Sequence, residues 1–272
     1  MRRITILLCL IAASFGGWLI WKKNPTILAK VMGEEFHTFK VRFSADKIME
    51  ANKTALLKIS GSSFLEPKLA YFPYLLMEVK YTKTALETRE GMLLWGLSDG
   101  EMVLDVETWL KTHGFEDCLM AKVNEGDFKI LRALAESGGV IEKGKIAQKF
   151  NGEEFEKWMA SCIHKKLVVD AGNKLRLHLQ NPRLEIEPQT KLGEWVVTLP
   201  EIPSNRSQRR YSPTEVQKMA MRAFGTDFAI RRSREVYLPV YEIAVQHTDG
   251  SILTTYWNGL TGKQIDEHLR EI

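Results

Sequence analysis

Cysteine is scarce in this 272-residue chain, with Cys9, Cys118 and Cys162 making up the whole complement. Three thiols supply neither a disulfide framework nor a zinc cluster, and Cys9 lies in an apolar run, so at most one bridge can join the rest. Histidine is equally thin: the six residues His37, His113, His164, His178, His247 and His268 show no ligand spacing. Cys162 and His164 are two apart on a predicted helix and therefore diverge. The polar cluster "HGFEDC", His113 to Cys118, reads as a surface loop. No glycine-rich loop able to cradle phosphate is present. Nothing converges as a nucleophile with its base, so the sequence assigns no catalytic, cofactor or metal-binding residue and points to a non-enzymatic protein. Strong charge is missing too: the formal net charge is +4, which permits an acidic partner without requiring one. Hydrophobic and charged shares of 44% and 26% are those of a folded globular protein.

One long apolar run is present. After Met1-Arg2-Arg3, Ile4 to Trp21 carries no charge and ends before Lys22-Lys23. At about 1.5 Å per residue it is just long enough to cross a bilayer core as a helix. Trp18 and Trp21 stand where interfacial aromatics belong. A cleaved signal peptide is the competing reading, but the run continues through "WLIW" past the small residues Ala12, Ser14 and Gly16. An uncleaved single-pass anchor over residues 1–23 is therefore expected, with the lipid bilayer as a partner. Basic residues on its two flanks nearly balance, tilting only slightly toward a body outside the cytoplasm.

Two later stretches run in parallel. "FSADKIMEANKTALLKI" from Phe43 and "YSPTEVQKMAMRAFG" from Tyr211 both open on an aromatic and a serine. Each then predicts an amphipathic helix, with Ile48, Ala51, Ala55 and Ile59 inward in the first and Val216, Met219, Ala223 and Phe224 in the second. Ser212, Pro213 and Glu215 form a complete helix start. Each helix is followed by a strand containing proline, "YFPYLLMEVKY" and "YLPVYEIAVQH". With Pro73 set on Pro239, Leu75, Met77 and Val79 match Tyr241, Ile243 and Val245 on one face. "GMLLWGLSDGEMVLD" and "GSILTTYWNGLTGKQID" continue the agreement as strands about a glycine turn. The motifs "PVYEIAV", "TDGS" and "GLTGKQI" resemble a PepSY module over roughly Ser212 to Asp266, and more weakly over Ser44 to Asp105. The first copy departs from that pattern in its longer loop, Thr82 to Glu90, and in "LSDG" for "LTG". The resemblance implies a helix on a small antiparallel sheet, and a binding or inhibitory unit without catalytic residues.

Between the copies the period changes. Glu125 to Gly139, Glu142 to Phe150 and Gly152 to Lys166 predict three helices, and Leu167 to Leu179 a hairpin turned at Ala171-Gly172-Asn173. This order resembles a winged-helix domain. Its third helix opens on Glu153, Glu154 and Glu156, which repel phosphate. Ten basic against eight acidic residues over Glu125 to Gln180 fall well short of a nucleic-acid stripe. Lys165, Lys166, Lys174 and Arg176 are the candidate anionic contacts. "EWVVTLP" is expected to add a strand in the proline-rich linker.

The expected architecture is α+β: an N-terminal transmembrane helix, two related helix-plus-antiparallel-sheet modules over 24–116 and 211–272, a winged-helix-like domain over 117–181, and a linker over 182–210. Proline cannot donate to a ladder, so Pro73 and Pro239 are expected at a sheet edge or bulge, and with Val240 and Ala244 they form the candidate edge for a protein partner. The expected function is a membrane-anchored scaffold or regulator that binds another protein. The alternatives are a membrane-tethered nucleic-acid-binding regulator and an extracytoplasmic protease inhibitor or chaperone.

Overall fold

The computed structural model describes residues 36–84, 87–150, 152–179, 182–184, 186–193, 196–199 and 203–265. The expected anchor, Ile4 to Trp21, lies outside the described residues, among which no helix is long and apolar enough to cross a membrane. The fold is α+β, dominated by an antiparallel sheet curled into a half-barrel, beside a small three-stranded sheet.

The chain enters on β1 (Phe36–Phe39), then α1 (Ala45–Ala51) and α2 (Lys53–Leu56). Ser44 caps α1 through the Lys47 N–H. The first predicted helix is broken at Asn52, whose side chain donates to the Ile48 carbonyl, so Ala51, Ala55 and Ile59 face solvent while Ile48 and Leu56 are buried. After β2 (Ser63–Phe64) come β3 (Lys68–Thr84), β4 (Glu87–Gly96), β5 (Met102–Asp105) and β6 (Leu110–Lys111).

Next is α3 (Phe115–Met120), which corrects the surface-loop reading of this stretch: Phe115, Cys118 and Leu119 are all buried. It is followed by α4 (Glu125–Glu136), β7 (Val140–Glu142), α5 (Lys143–Ala147), α6 (Gly152–His164), β8 (Val168–Ala171) and β9 (Lys174–Leu177). Asn124 and Asp127 close a capping box on α4, an arrangement that contributes about 1 kcal/mol in typical helices. The three short strands form a sheet in the order β7-β9-β8.

The chain returns through β10 (Val196–Leu199), the strand expected from "EWVVTLP", to α7 (Pro213–Phe224), β11 (Phe228–Gln246), β12 (Ile252–Asn258) and β13 (Gln264–Ile265). The start of α7 carries the expected serine cap, proline and reciprocal glutamate bond.

Among the described residues, the stretches read as separate modules share one ten-stranded sheet. Their long strands β3 and β11 lie antiparallel, with Pro73 opposite Tyr237 and Tyr71 opposite Pro239. Local bonds then recur about this pairing. Leu97 N–H donates to the Pro73 carbonyl at 3.0 Å, and Gly259 N–H to the Pro239 carbonyl at 2.8 Å. Gly96 N–H donates to the Glu101 carbonyl and Asn258 N–H to the Lys263 carbonyl, both at 2.9 Å. Trp95 stands opposite Leu75, and Trp257 opposite Tyr241. Gly100 and Gly262 both sit at φ +70°, a conformation that suits glycine.

Helix α1 covers strands of the other half, whereas α7 lies chiefly on β11 of its own half. Ile48 and Leu56 pack on Ile243, Val245 and Trp257. Val216, Met219, Ala220 and Ala223 join the cluster of Leu75, Met77, Val79, Leu93 and Trp95, which runs on into the core of the three-helix unit through Phe115, Phe128 and Cys162. The opposite sheet face buries Phe72, Tyr74, Leu76, Val236, Leu238 and Val240 inside the curl.

Candidate functional site

The prolines explain where the outer ladders stop. Pro73 accepts from Leu97 but has no N–H to return, so the Leu97 carbonyl instead takes the backbone N–H groups of Arg210 and Tyr211, both at 2.9 Å. In the other half, the Gly259 carbonyl takes those of Arg42 and Phe43 at 2.9 and 3.0 Å. The missing donors are thus the docking points of the two segments that lead into α1 and α7.

This overturns the expectation of an open edge at Pro73, Pro239, Val240 and Ala244. Pro73 and Pro239 lie within long strands that pair with each other. Val240 is fully buried opposite Asn258. Ala244 pairs with Thr254 on one side, and its carbonyl accepts the Leu65 N–H on the other. A proline was compatible with the sheet interior because its imide side faces the point where β4 or β12 gives way to a turn.

The cationic candidates separate. Lys165 reaches the fully buried Asp127 at 2.5 Å and the Lys122 carbonyl at 3.2 Å. Lys165 and Lys166 both line a cleft of about 1060 Å³. Lys174 and Arg176 are instead exposed alternately along β9, whose Leu175 and Leu177 face the core.

That cleft lies where the two ends of the curled sheet approach the three-helix unit. One wall is β6 with Trp109 and Thr112, and another is the turn and strand Thr261 to Ile265. The third comes from Lys165 to Leu167 with His178 and Leu179, and the start of α3 closes the end. The expected cluster at His113 is here, with His113 exposed at the rim and Cys118 enclosed in the core.

Most charges in the cleft are already paired. The Lys111 ammonium contacts the Asp99 carboxylate and donates to the Tyr74 hydroxyl at 3.1 Å. Burial alone would lower the Lys111 pKa, but Asp99 and then Tyr74 outweigh it and hold the cation well above its ordinary value. Burial likewise raises the Tyr74 phenol, against the pull of Lys111. Glu101 accepts from the Thr112 hydroxyl at 2.6 Å and from the Gly114 and Glu116 N–H groups at 2.8 and 3.0 Å. Its burial still prevails over these bonds, leaving its pKa raised. Glu116 pairs with Arg210 at 2.5 Å. Beside these, Asn258 is wholly buried and uses its side-chain oxygen on the Leu260 and Thr261 N–H groups, while its Nδ2 has no hydrogen-bond partner.

The sequence signal for this cleft is weak, because its walls come from segments far apart in the chain. Asp99, Glu101 and Lys111 are unremarkable turn and strand residues until the sheet curls. Among the described residues no group of three or more His, Cys, Asp or Glu is placed to hold a metal ion. Comparison with protein-family models, with curated proteins and with solved structures finds no match for this chain.

Proposed function

We propose that this protein is a membrane-anchored, non-enzymatic scaffold or regulator whose α+β body binds another protein. In this reading residues 4–21 are the anchor. Two related PepSY-like halves interlock through the pairing of β3 with β11, and the unit from α4 to β9 is a winged-helix domain used for docking. The helix–strand–helix–helix–hairpin order and the β7-β9-β8 sheet support the last assignment. The recurrence of the same backbone bonds at Pro73 and Pro239 supports the relation between the halves.

The observation that carries the reading is the cleft shared by the sheet and the three-helix unit. Its charged groups are largely bonded to one another, as in Lys111–Asp99, Lys165–Asp127 and Glu116–Arg210. Such pairing holds these walls in one shape, a preorganisation that lowers the cost of binding a partner. Exposed Glu154 and Glu156 on α6 weigh against nucleic acid as the partner of that helix.

The test is photo-crosslinking of the full chain in its own membrane, from a probe at Lys166 or His178 and from a control probe at Lys58. A discrete protein adduct from the cleft positions alone is expected. Adducts equal at all three positions, or none, would sink the reading.

A further inference from the structure

The two halves of the sheet differ at one place. In the first, β5 pairs with β4 on its inner side and with β6 on its outer side, where Val103 stands opposite Lys111. In the second, β13 pairs with β12 in the same register, Trp257 opposite Gln264 matching Trp95 opposite Met102. Among the described residues no strand covers the outer side of β13. Lys263, Gln264 and Ile265 line the cleft, and so do Leu110 and Lys111 of the edge strand β6.

The backbone on this edge is set for a further strand. In the first half, Met102 N–H donates to the Thr112 hydroxyl at 2.8 Å, and its carbonyl accepts the Thr112 N–H at 2.8 Å. In the second half, the Asn258 N–H to Lys263 carbonyl bond fixes the same register, which turns the N–H and carbonyl of Gln264 outward. The side chain preceding the strand has changed sign. Glu101 gathers the N–H groups of the chain that crosses the first half, whereas its counterpart is the exposed Lys263. With Lys166 of the three-helix unit also on the rim and the buried Asn258 Nδ2 unpartnered, this side of the cleft offers donors and positive charge where Glu101 in the first half is an acceptor.

We propose that an extended acidic segment of a partner protein enters this cleft and adds as a strand to the outer edge of β13, taking the place that β6 holds on β5. Main-chain bonds to Gln264 give it purchase, carboxylates meet Lys263 and Lys166, and apolar side chains rest on Trp109, Leu179 and Ile265. The proposal rests on the protein-binding reading and names the partner's chemistry.

The experiment is titration of the full chain, held in detergent micelles, with a short peptide alternating valine and glutamate, followed by calorimetry and amide hydrogen exchange. Saturable binding with slowed exchange at Gln264 is expected. Lys263→Glu with Lys166→Glu weakens it about tenfold or more, as does replacing glutamate by glutamine in the peptide. Gln264→Pro removes the outward donor and also weakens binding, while far-ultraviolet circular dichroism reports whether each variant folds. Absence of saturable binding, or protection elsewhere with none at Gln264, overturns the proposal. Binding that appears only after deletion of residues 266–272 makes the chain's own end the occupant and overturns it as well. A cleft crosslink that survives Lys263→Glu and Gln264→Pro defeats this inference and leaves the protein-binding reading standing.

Discussion

The Leu97 N–H donates to the Pro73 carbonyl at 3.0 Å, and Pro73, lacking a donor, leaves the Leu97 carbonyl to Arg210 and Tyr211. One missing hydrogen thereby ends a ladder and fastens a segment that lies far along the chain. Pro239 does the same for Arg42 and Phe43 through Gly259. The prolines are interior joints, and the positions beside them behave as core.

Val240→Glu therefore destabilises the fold instead of selectively disabling a partner. The side chain is wholly buried among Phe72, Leu238 and Leu260, and a carboxylate there has no partner. A loss of about 3–5 kcal/mol is expected in urea unfolding.

Gly262→Ala meets two obstacles together. The backbone sits at φ +70°, and the new Cβ lies 2.9 Å from the Phe43 ring. The expected cost is about 1–3 kcal/mol. Combining it with Phe43→Ala relieves the contact but not the backbone strain, so the double mutant loses less than the sum of the two single changes. Thermal unfolding of all four proteins measures the difference.

Lys111→Met leaves the Asp99 carboxylate in the cleft without its cation, and the Asp99 side chain is only 14% exposed. About 3 kcal/mol of stability is expected to go, and Asp99→Asn in the same chain restores much of it, because the cost belongs to the orphaned charge. A double-mutant cycle by chemical denaturation reads this directly.

Glu101→Gln changes the pH profile. Burial raises the Glu101 pKa in the folded state above its unfolded value. The folded protein therefore holds this proton more tightly, and stability falls as pH rises from the unfolded pKa through the folded one. The glutamine variant lacks that component. Relative to wild type, it is more stable at pH 7 than at pH 4, as urea midpoints at the two values will show.

Much of the local structure was legible in the chain. The capping residues Ser212 and Glu215 marked the start of α7, and the alternation Leu75, Met77, Val79 identified one of the two buried faces of β3, the other being closed by the curl of the sheet. The agreement around Pro73 and Pro239 located matching turns at Gly100 and Gly262. Other features were hidden by length. Val140–Glu142 is too short for its period to register, and the helix at Phe115–Met120 spans less than two turns, too few for its apolar spacing to show a period. The break at Asn52 was missed because the apolar spacing of Ala51, Ala55 and Ile59 suits a continuous helix.

The sequence alone determined where α7 begins, where the glycine turns fall and which residues alternate along β3, since these depend on neighbours a few positions away. Tertiary structure decided which strand lies beside which. An alternating pattern puts Leu75, Met77 and Val79 on one face of β3, but it does not say that the curl will bury Tyr74 and Leu76 on the other, that β11 will pair with it, or that α1 will cover Ile243. It also decided the cleft, whose walls become adjacent only when the sheet curls and brings the edges at Lys111 and Gln264 toward one another. Those contacts depend on closing long stretches of chain around a shared core, and the core's shape is a property of all the packed side chains together.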